Sequence, residues 1–346
     1  MLIFASVPMM VAQAADAPGW HMESVPAKRI VATDKVTVSY PNRTVSKWSL
    51  MAAVPPDLPS QTDVTVEMVV PDDSHPVTLT QEKSGLKRLI RLVSIPVQGN
   101  RFDKSIIVVF TYKATLIARR LAKGNPPKPV LPLAAADRTN WLAETPTLDY
   151  HSPAFQSWLS ANNLRKQEGQ QDLQFAYRVY SLIKQKYNYS YVDAQDRKVS
   201  NLCQTNLTDC GGSVNLLVGA LRANNIPARQ LVGRNAVSGT PGEYAGQRHV
   251  RSEFFAEGIG WVPVEISSGM SFKDQPDSNY FGYDPGDFLT VHLDTDLLID
   301  YGIDGIQKEQ WAQSLRFWLK STWQGQPSPP IMSGDWKVTS SDLQPL

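Results

Sequence analysis

Three side chains in this sequence have the types and the order of an activated thiol nucleophile. Cys210 stands in Thr208-Asp209-Cys210-Gly211-Gly212-Ser213, His249 in Arg248-His249-Val250-Arg251-Ser252-Glu253, and Glu265 closes Gly260-Trp261-Val262-Pro263-Val264-Glu265. A thiolate attacks a carbonyl, an imidazole takes and returns the proton, and a carboxylate fixes the imidazole tautomer. Taken singly, each residue has a plainer reading. A lone buried Cys at a helix start is usually an inert small hydrophobe, and a lone strand His is more often structural. The conjunction sets these three apart, because His21, His75, His151 and His292 lack comparable surroundings.

The elements around them supply the positions. After Cys210, Val214, Leu217, Val218 and Leu221 recur at helical spacing. Asp209 is the candidate N-cap, Asn224 and Asn225 suit a left-handed end, and Pro227 cannot continue the helix. Cys210 then lies in the first turn, where unpaired amides and the helix dipole favour an anion. Gly211 and Gly212 leave room for another backbone or a substrate beside the sulfur. Phe254-Phe255 and Trp261-Val262 flank Glu257-Gly258-Ile259, the pattern of a β-hairpin. A turn centred near Glu257 puts positions 249 and 265 directly opposite, with Cβ atoms roughly 5 Å apart. A one-residue slip would send the two side chains to different faces.

These segments resemble the transglutaminase-like superfamily, whose core is a variant of the papain fold. Members commonly carry Gly-x-Cys at a helix start, then a run ending in Gly-Ile-Pro-Ala-Arg. A His-Ala-Trp-x-Glu strand and a Gly-Trp-x-x-x-Asp strand follow. This chain reads Thr208-Asp209-Cys210, Asn225-Ile226-Pro227-Ala228-Arg229, His249-Val250-Arg251-Ser252-Glu253 and Gly260-Trp261-Val262-Pro263-Val264-Glu265. The resemblance implies that Cys210, His249 and Glu265 are the catalytic triad. Three departures accompany it: Glu265 replaces the usual Asp, Arg251 an aromatic residue, and Thr208 the Gly. Gln204, six positions before Cys210, resembles the oxyanion glutamine of papain-like enzymes, and backbone amides at the helix start could serve instead. Cys203 either pairs with Cys210 in a disulfide, which would block the nucleophile, or packs as a free thiol in the wall.

The resemblance implies a thiol enzyme that attacks a peptide or carboxamide bond through an acyl-thioenzyme. Water resolves the intermediate in a peptidase or amidase, and an amine resolves it in a transglutaminase. The alternative is an inert domain of the same fold, serving as an extracytoplasmic protein- or peptide-binding module. Neither reading calls for a cofactor or a metal. The expected partner is a protein or peptide substrate. A net charge of +1 over 346 residues gives no electrostatic case for nucleic acid. No apolar run reaches membrane-spanning length, and oligomeric state is left open.

The expected fold class is α+β, a papain-like transglutaminase core preceded by an antiparallel β-sandwich. Residues 1–17 form an apolar leader in which Ala12-Gln13-Ala14 suits signal-peptidase cleavage, which points to export into the periplasm or the medium. Alternating runs such as Lys35-Val36-Thr37-Val38 and Ser105-Ile106-Ile107-Val108 mark residues 20–124 as the sandwich. Residues 125–148 read as a Pro-rich linker, 149–270 as the catalytic core, 271–325 as an extension packed on it and 326–346 as a tail. Within the core, helices are expected from Pro153 and from Asp172, followed by a partly extended Tyr187–Tyr191 stretch whose tyrosines either border the cleft or, the favoured reading, pack in the wall. In the extension, Trp311, Leu315, Trp318 and Leu319 recur at near-helical spacing, and Asp284, Asp287, Asp294 and Asp296 read as turn and surface residues.

Overall fold

The alternating runs of the first third pair into two antiparallel sheets. The computed structural model describes residues 19–71, 80–84, 88–97, 102–126, 128–192, 195–236, 248–293 and 295–343. The leader, His75 and Asp294 lie outside them. Strand β1 (Trp20–Ser39) runs between β6 (Ser105–Lys123) and β17 (Ile331–Asp342), and β6 also pairs with β3 (Gln61–Val69) and β12 (Tyr283–Asp284). The second sheet is ordered β16 (Arg316–Trp323), β2 (Arg43–Val54), β5 (Arg88–Pro96), β4 (Thr80–Ser84). Alternation along β1 sends Ile30, Ala32, Val36 and Val38 inward. There they meet Trp48 and Leu50 of β2, Val93 and Ile95 of β5, and Trp336 of β17 in one apolar core.

Helices and a four-stranded sheet build the second half. The sheet is ordered β11 (Gly260–Val264), β10 (Arg248–Ala256), β9 (Ala228–Asn235), β13 (Phe288–Leu293), all antiparallel. Against it pack α2 (Pro153–Ala161), α3 (Asp172–Lys186), α4 (Val199–Leu202), α5 (Cys210–Arg222) and α6 (Ile266–Ser271). Every residue of α5 from Gly211 to Arg222 is buried, so this helix is the axis of the core rather than an amphipathic surface helix. Short ribbons pair β7 (Asn188–Tyr189) with β8 (Leu207–Thr208) and β14 (Leu297–Asp300) with β15 (Ile306–Glu309). The linker contains a helix of its own, α1 (Ala135–Leu142), anchored by buried Trp141.

Two stretches differ from their sequence patterns. Trp311–Leu319 is not a helix. Leu315 ends a loop, and Trp318 and Leu319 lie in β16, where Phe317 and Leu319 face the sandwich core while Trp318 packs on a small cluster behind the sheet. A strand covered on both faces loses the alternation that would have identified it. Where a tail was expected, Ile331–Asp342 pairs along β1 from Lys28↔Asp342 to Ser39↔Ile331. Strands from the end of the chain therefore complete both sheets begun by the first strands. Buried ion pairs join the halves, with Arg234 of β9 on Asp34 of β1 at 3.1 Å and Arg119 of β6 on Glu253 of β10 at 2.9 Å.

Candidate active site

Asp209 caps α5 as expected, its carboxylate accepting from the Gly212 amide at 2.9 Å. A carboxylate next to the thiol would oppose negative charge on sulfur, and Arg197 offsets it, with Nε 2.9 Å from Asp209 Oδ2 and both side chains buried. The two glycines after Cys210 make room for protein rather than substrate. A Cβ on Gly211 would lie 2.1 Å from Trp311 Cη2, and one on Gly212 would lie 2.1 Å from Thr208 Oγ1. Trp311 therefore sits on the helix start beside Cys210, and the Arg197 guanidinium lies 5.1 Å from the centre of its ring.

His249 faces the half-buried Cys210. Its Nε2 lies 2.8 Å from Glu265 Oε2, and the Cys210 sulfur lies close enough to act on the same imidazole. The His249 carbonyl accepts from Gln313 Nε2 at 2.7 Å, and the same amide reaches Gly233 O at 3.0 Å. Phe288 stands edge-on to the imidazole, ring centres 6.0 Å apart.

The hairpin register differs from the expected one by two residues. Ser252 pairs with Val264 and Ala256 with Gly260, which brings Glu265 level with Arg251 rather than His249. A two-residue offset preserves the face where a one-residue slip would not. Glu265 therefore reaches His249 along a diagonal, beyond the end of β11. The added methylene of Glu over Asp suits that longer reach. The same carboxylate caps α6, because its Oε1 accepts from Ser267 Oγ at 2.7 Å and from the Ser268 amide at 3.3 Å.

The charges reinforce one another. Burial by itself would lower the His249 pKa, but the Glu265 carboxylate and the Cys210 sulfur outweigh it and raise it to about 10. Burial would raise Glu265, yet His249, Arg251 and Ser267 hold it down to about 2. The pair is a carboxylate and an imidazolium across the neutral range.

Arg251 sits beside them, half-buried on the same strand face. Its Nε is 2.8 Å from Glu265 Oε2, its Nη2 2.9 Å from Asp287 Oδ1 and its Nη1 3.5 Å from Asp284 Oδ1. Asp284 is thus buried rather than at the surface its irregular spacing suggested, while Asp287 is half-exposed. A half-buried cation required anions, and the segment around β12 supplies them. One position further on, Glu253 is gripped by Arg229 and Arg119. The Arg229 guanidinium also stacks 3.8 Å from the Trp261 ring centre. The Ala-Arg and His-x-x-x-Glu segments of the sequence are in part this ion cluster.

The remaining expected site residues lie elsewhere. Cys203 and Cys210 are both free thiols, so no disulfide joins them. Burial pushes the Cys203 thiol up, and its sulfur contacts Ser200 O at 3.3 Å. Gln204 is exposed and donates its amide to Ser200 O at 2.7 Å, a bond within its own turn that makes it a poor oxyanion donor. The Tyr189 phenol also lies near the Cys210 side chain. Burial and the anionic surroundings of Cys210 push that phenol pKa up. Among the tyrosines expected as wall packing, Tyr187 is fully buried while Tyr189 is exposed. Trp311 and Gln313 also escaped the sequence pattern, because they come from a distant loop that carries no motif.

Residues 161–266 match a family described as the Transglutaminase-like superfamily. No curated protein matches the chain. Among solved structures, a candidate cysteine protease from Cytophaga hutchinsonii is similar over 92% of this chain and 100% of its own, at 11% identity and a TM-score of 0.52. The periplasmic domain of TgpA from Pseudomonas aeruginosa is similar over 70% of this chain and 88% of its own, at 13% identity and a TM-score of 0.36. At such identities the first likeness speaks for the fold and the second carries no argument.

Proposed function

We propose that the transglutaminase-like domain at residues 161–266 works as a thiol acyl enzyme on peptide or carboxamide bonds. Cys210 is the nucleophile, His249 carries the proton and Glu265 orients the imidazole. The thiolate adds to the carbonyl carbon, and the oxyanion is met by the Tyr189 hydroxyl and the first-turn amides of α5. The C–N bond then breaks, the leaving nitrogen takes the imidazolium proton, and a thioester joins the acyl group to Cys210. Water, or an amine, gives a proton to His249 and attacks the thioester. The C–S bond breaks, and the thiolate–imidazolium pair is restored. Hydrolysis is the simpler outcome because water needs no second binding site. The apolar leader supports a site of action outside the cytoplasm. Among the described residues no helix is long and apolar enough to cross a membrane.

One observation carries this reading. The imidazole is held by Glu265 at 2.8 Å on one nitrogen, and the Cys210 sulfur lies close enough to act on it. The test is to incubate the protein with a peptide mixture, with and without a primary amine, quench in acid and locate adducts by mass spectrometry. An acyl group on Cys210, lost on mutation of His249, is the expected result. A folded protein whose Cys210 takes neither acyl groups nor iodoacetamide would instead be a binding module of the same fold.

A further inference from the structure

Glu265 serves two cations, and only one of them is the imidazole. His249 Nε2 and Arg251 Nε each approach the same Oε2 to 2.8 Å. The Arg251 approach is a charge contact rather than a bond, because its buried Nε–H is not aimed at an acceptor. Asp287 Oδ1 meets the guanidinium in the same unaligned way. The Phe288 ring, which also touches His249, lies 4.7 Å from the guanidinium carbon. Such an arrangement fixes charge more than geometry.

We propose that Arg251 is a positioning residue that shares the Glu265 carboxylate with His249 and thereby keeps the imidazolium acidic enough to hand its proton to the leaving nitrogen. The inference rests on the reading that His249 carries the proton. A buried imidazolium against an undivided carboxylate holds its proton too firmly, and a general acid works best when its pKa lies near the operating pH. A permanent cation on the same oxygen weakens that grip without protonating the carboxylate. The charged and titratable groups around the pair are Cys210 at the start of α5, Tyr189 on β7, Asp284 on β12, Asp287 ahead of β13 and Arg119 on β6 behind Asp284. On β10 itself stands Glu253. Asp284 and Asp287 largely balance Arg251, so its effect on His249 is local. They also tie the site to the β12–β6 pairing between the two halves of the fold.

The test titrates the imidazole directly, in full-length protein labelled with 15N-histidine and carrying Cys210→Ala. In that background the Cys210 sulfur no longer acts on the imidazole. Arg251→Met should raise the His249 midpoint by about two pKa units, the effect expected of a charge about 5 Å away at an effective dielectric near 20. Arg251→Lys keeps the charge and should leave the midpoint within about half a unit of the parent. If Arg251→Met does not fold, the neutral Arg251→Gln carries the same expectation and the same refutation. A midpoint unchanged in the neutral variant, with only the melting temperature lowered, would make Arg251 a purely structural ion and overturn the proposal. Because the readout needs no turnover, failure of the enzymatic reading appears separately, as absence of acylation in the wild-type protein.

Discussion

Glu265→Gln isolates the charge of Glu265 from its capping role. The amide keeps an acceptor oxygen for Ser267 and Ser268, so α6 should survive with a loss of at most about 1 kcal/mol. What disappears is the anion that faces His249 Nε2 at 2.8 Å. With charge centres about 4 Å apart and an effective dielectric near 20, the lost attraction is about 4 kcal/mol, or about three pKa units. The imidazolium, raised to about 10 in the wild type, should then titrate near 7, and Arg251 would push it lower still. The sign follows directly. A raised imidazole pKa preserves the imidazolium until the pH passes that value, so activity in the wild type should decline only above about pH 10. In the variant that limb should fall into the neutral range. The assay is the pH dependence of acyl-enzyme formation on a peptide amide identified by trapping. Turnover should also drop, by up to about 10⁴ on the precedent of a wrong tautomer in a serine-protease triad. If the alkaline limb stays near its wild-type position and the rate falls less than tenfold, Glu265 is only the cap of α6 and some other group orients the imidazole.

Further outcomes are expected. Cys210→Ala should abolish acylation with little change in melting temperature, and His249→Ala should cost about 10² to 10⁴ in rate, measured on the same substrate. Gly211→Ala should displace Trp311, whose ring atom would lie 2.1 Å from the new Cβ. Overpacking of that kind costs about 1–3 kcal/mol, and an unchanged urea midpoint would contradict the contact. Glu253→Gln should strip both buried arginines of their anion and cost about 3–5 kcal/mol, read by urea denaturation. The Glu253 pKa is depressed by Arg229 and Arg119 against the cost of burial. Its contribution is therefore present above the ordinary carboxylate range and fades as pH falls below it, so the variant should lose part of the wild-type acid sensitivity. Finally, iodoacetamide applied to native protein at neutral pH should label Cys210 and spare Cys203, which peptide mapping would show.

Cys210 and its helix were legible as a placement because their signals are local. Asp209 announces the cap, the apolar spacing announces the buried helix, and Asn225 adopts the left-handed conformation its type suggested, with φ of 61°. The hairpin was legible as well, but its register was off by two residues because the turn is Glu257-Gly258-Ile259 with Ala256 paired to Gly260. Nothing in a single strand's pattern distinguishes registers that keep the same face inward. Arg251, Asp284 and Asp287 could be seen only as separate charges, since their meeting depends on β12 crossing to β6. Tyr189, Trp311 and Gln313 reach the site through tertiary packing alone. Period-based reading failed likewise at β16, where apolar residues on both faces imitate a helix.

The pairing of β17 with β1 and of β16 with β2 bears on how the chain comes to be folded. While residues 316–342 are still to be made, β1 and β2 each lack a neighbour on one side and present a row of unpaired amides and carbonyls. Open edges of that kind recruit other strands and invite aggregation. Contacts between β1 and β17, such as Lys28 with Asp342, also have a very large sequence separation, which slows folding. The sandwich cannot close behind the ribosome as a finished unit. It has to wait for the rest, with the helical core in place to bring the two ends together. A chain carried across a membrane before folding would meet this requirement naturally. A truncation that removes β16 and β17 would leave the thiol site intact in sequence yet strand the first half with no way to shield its edges.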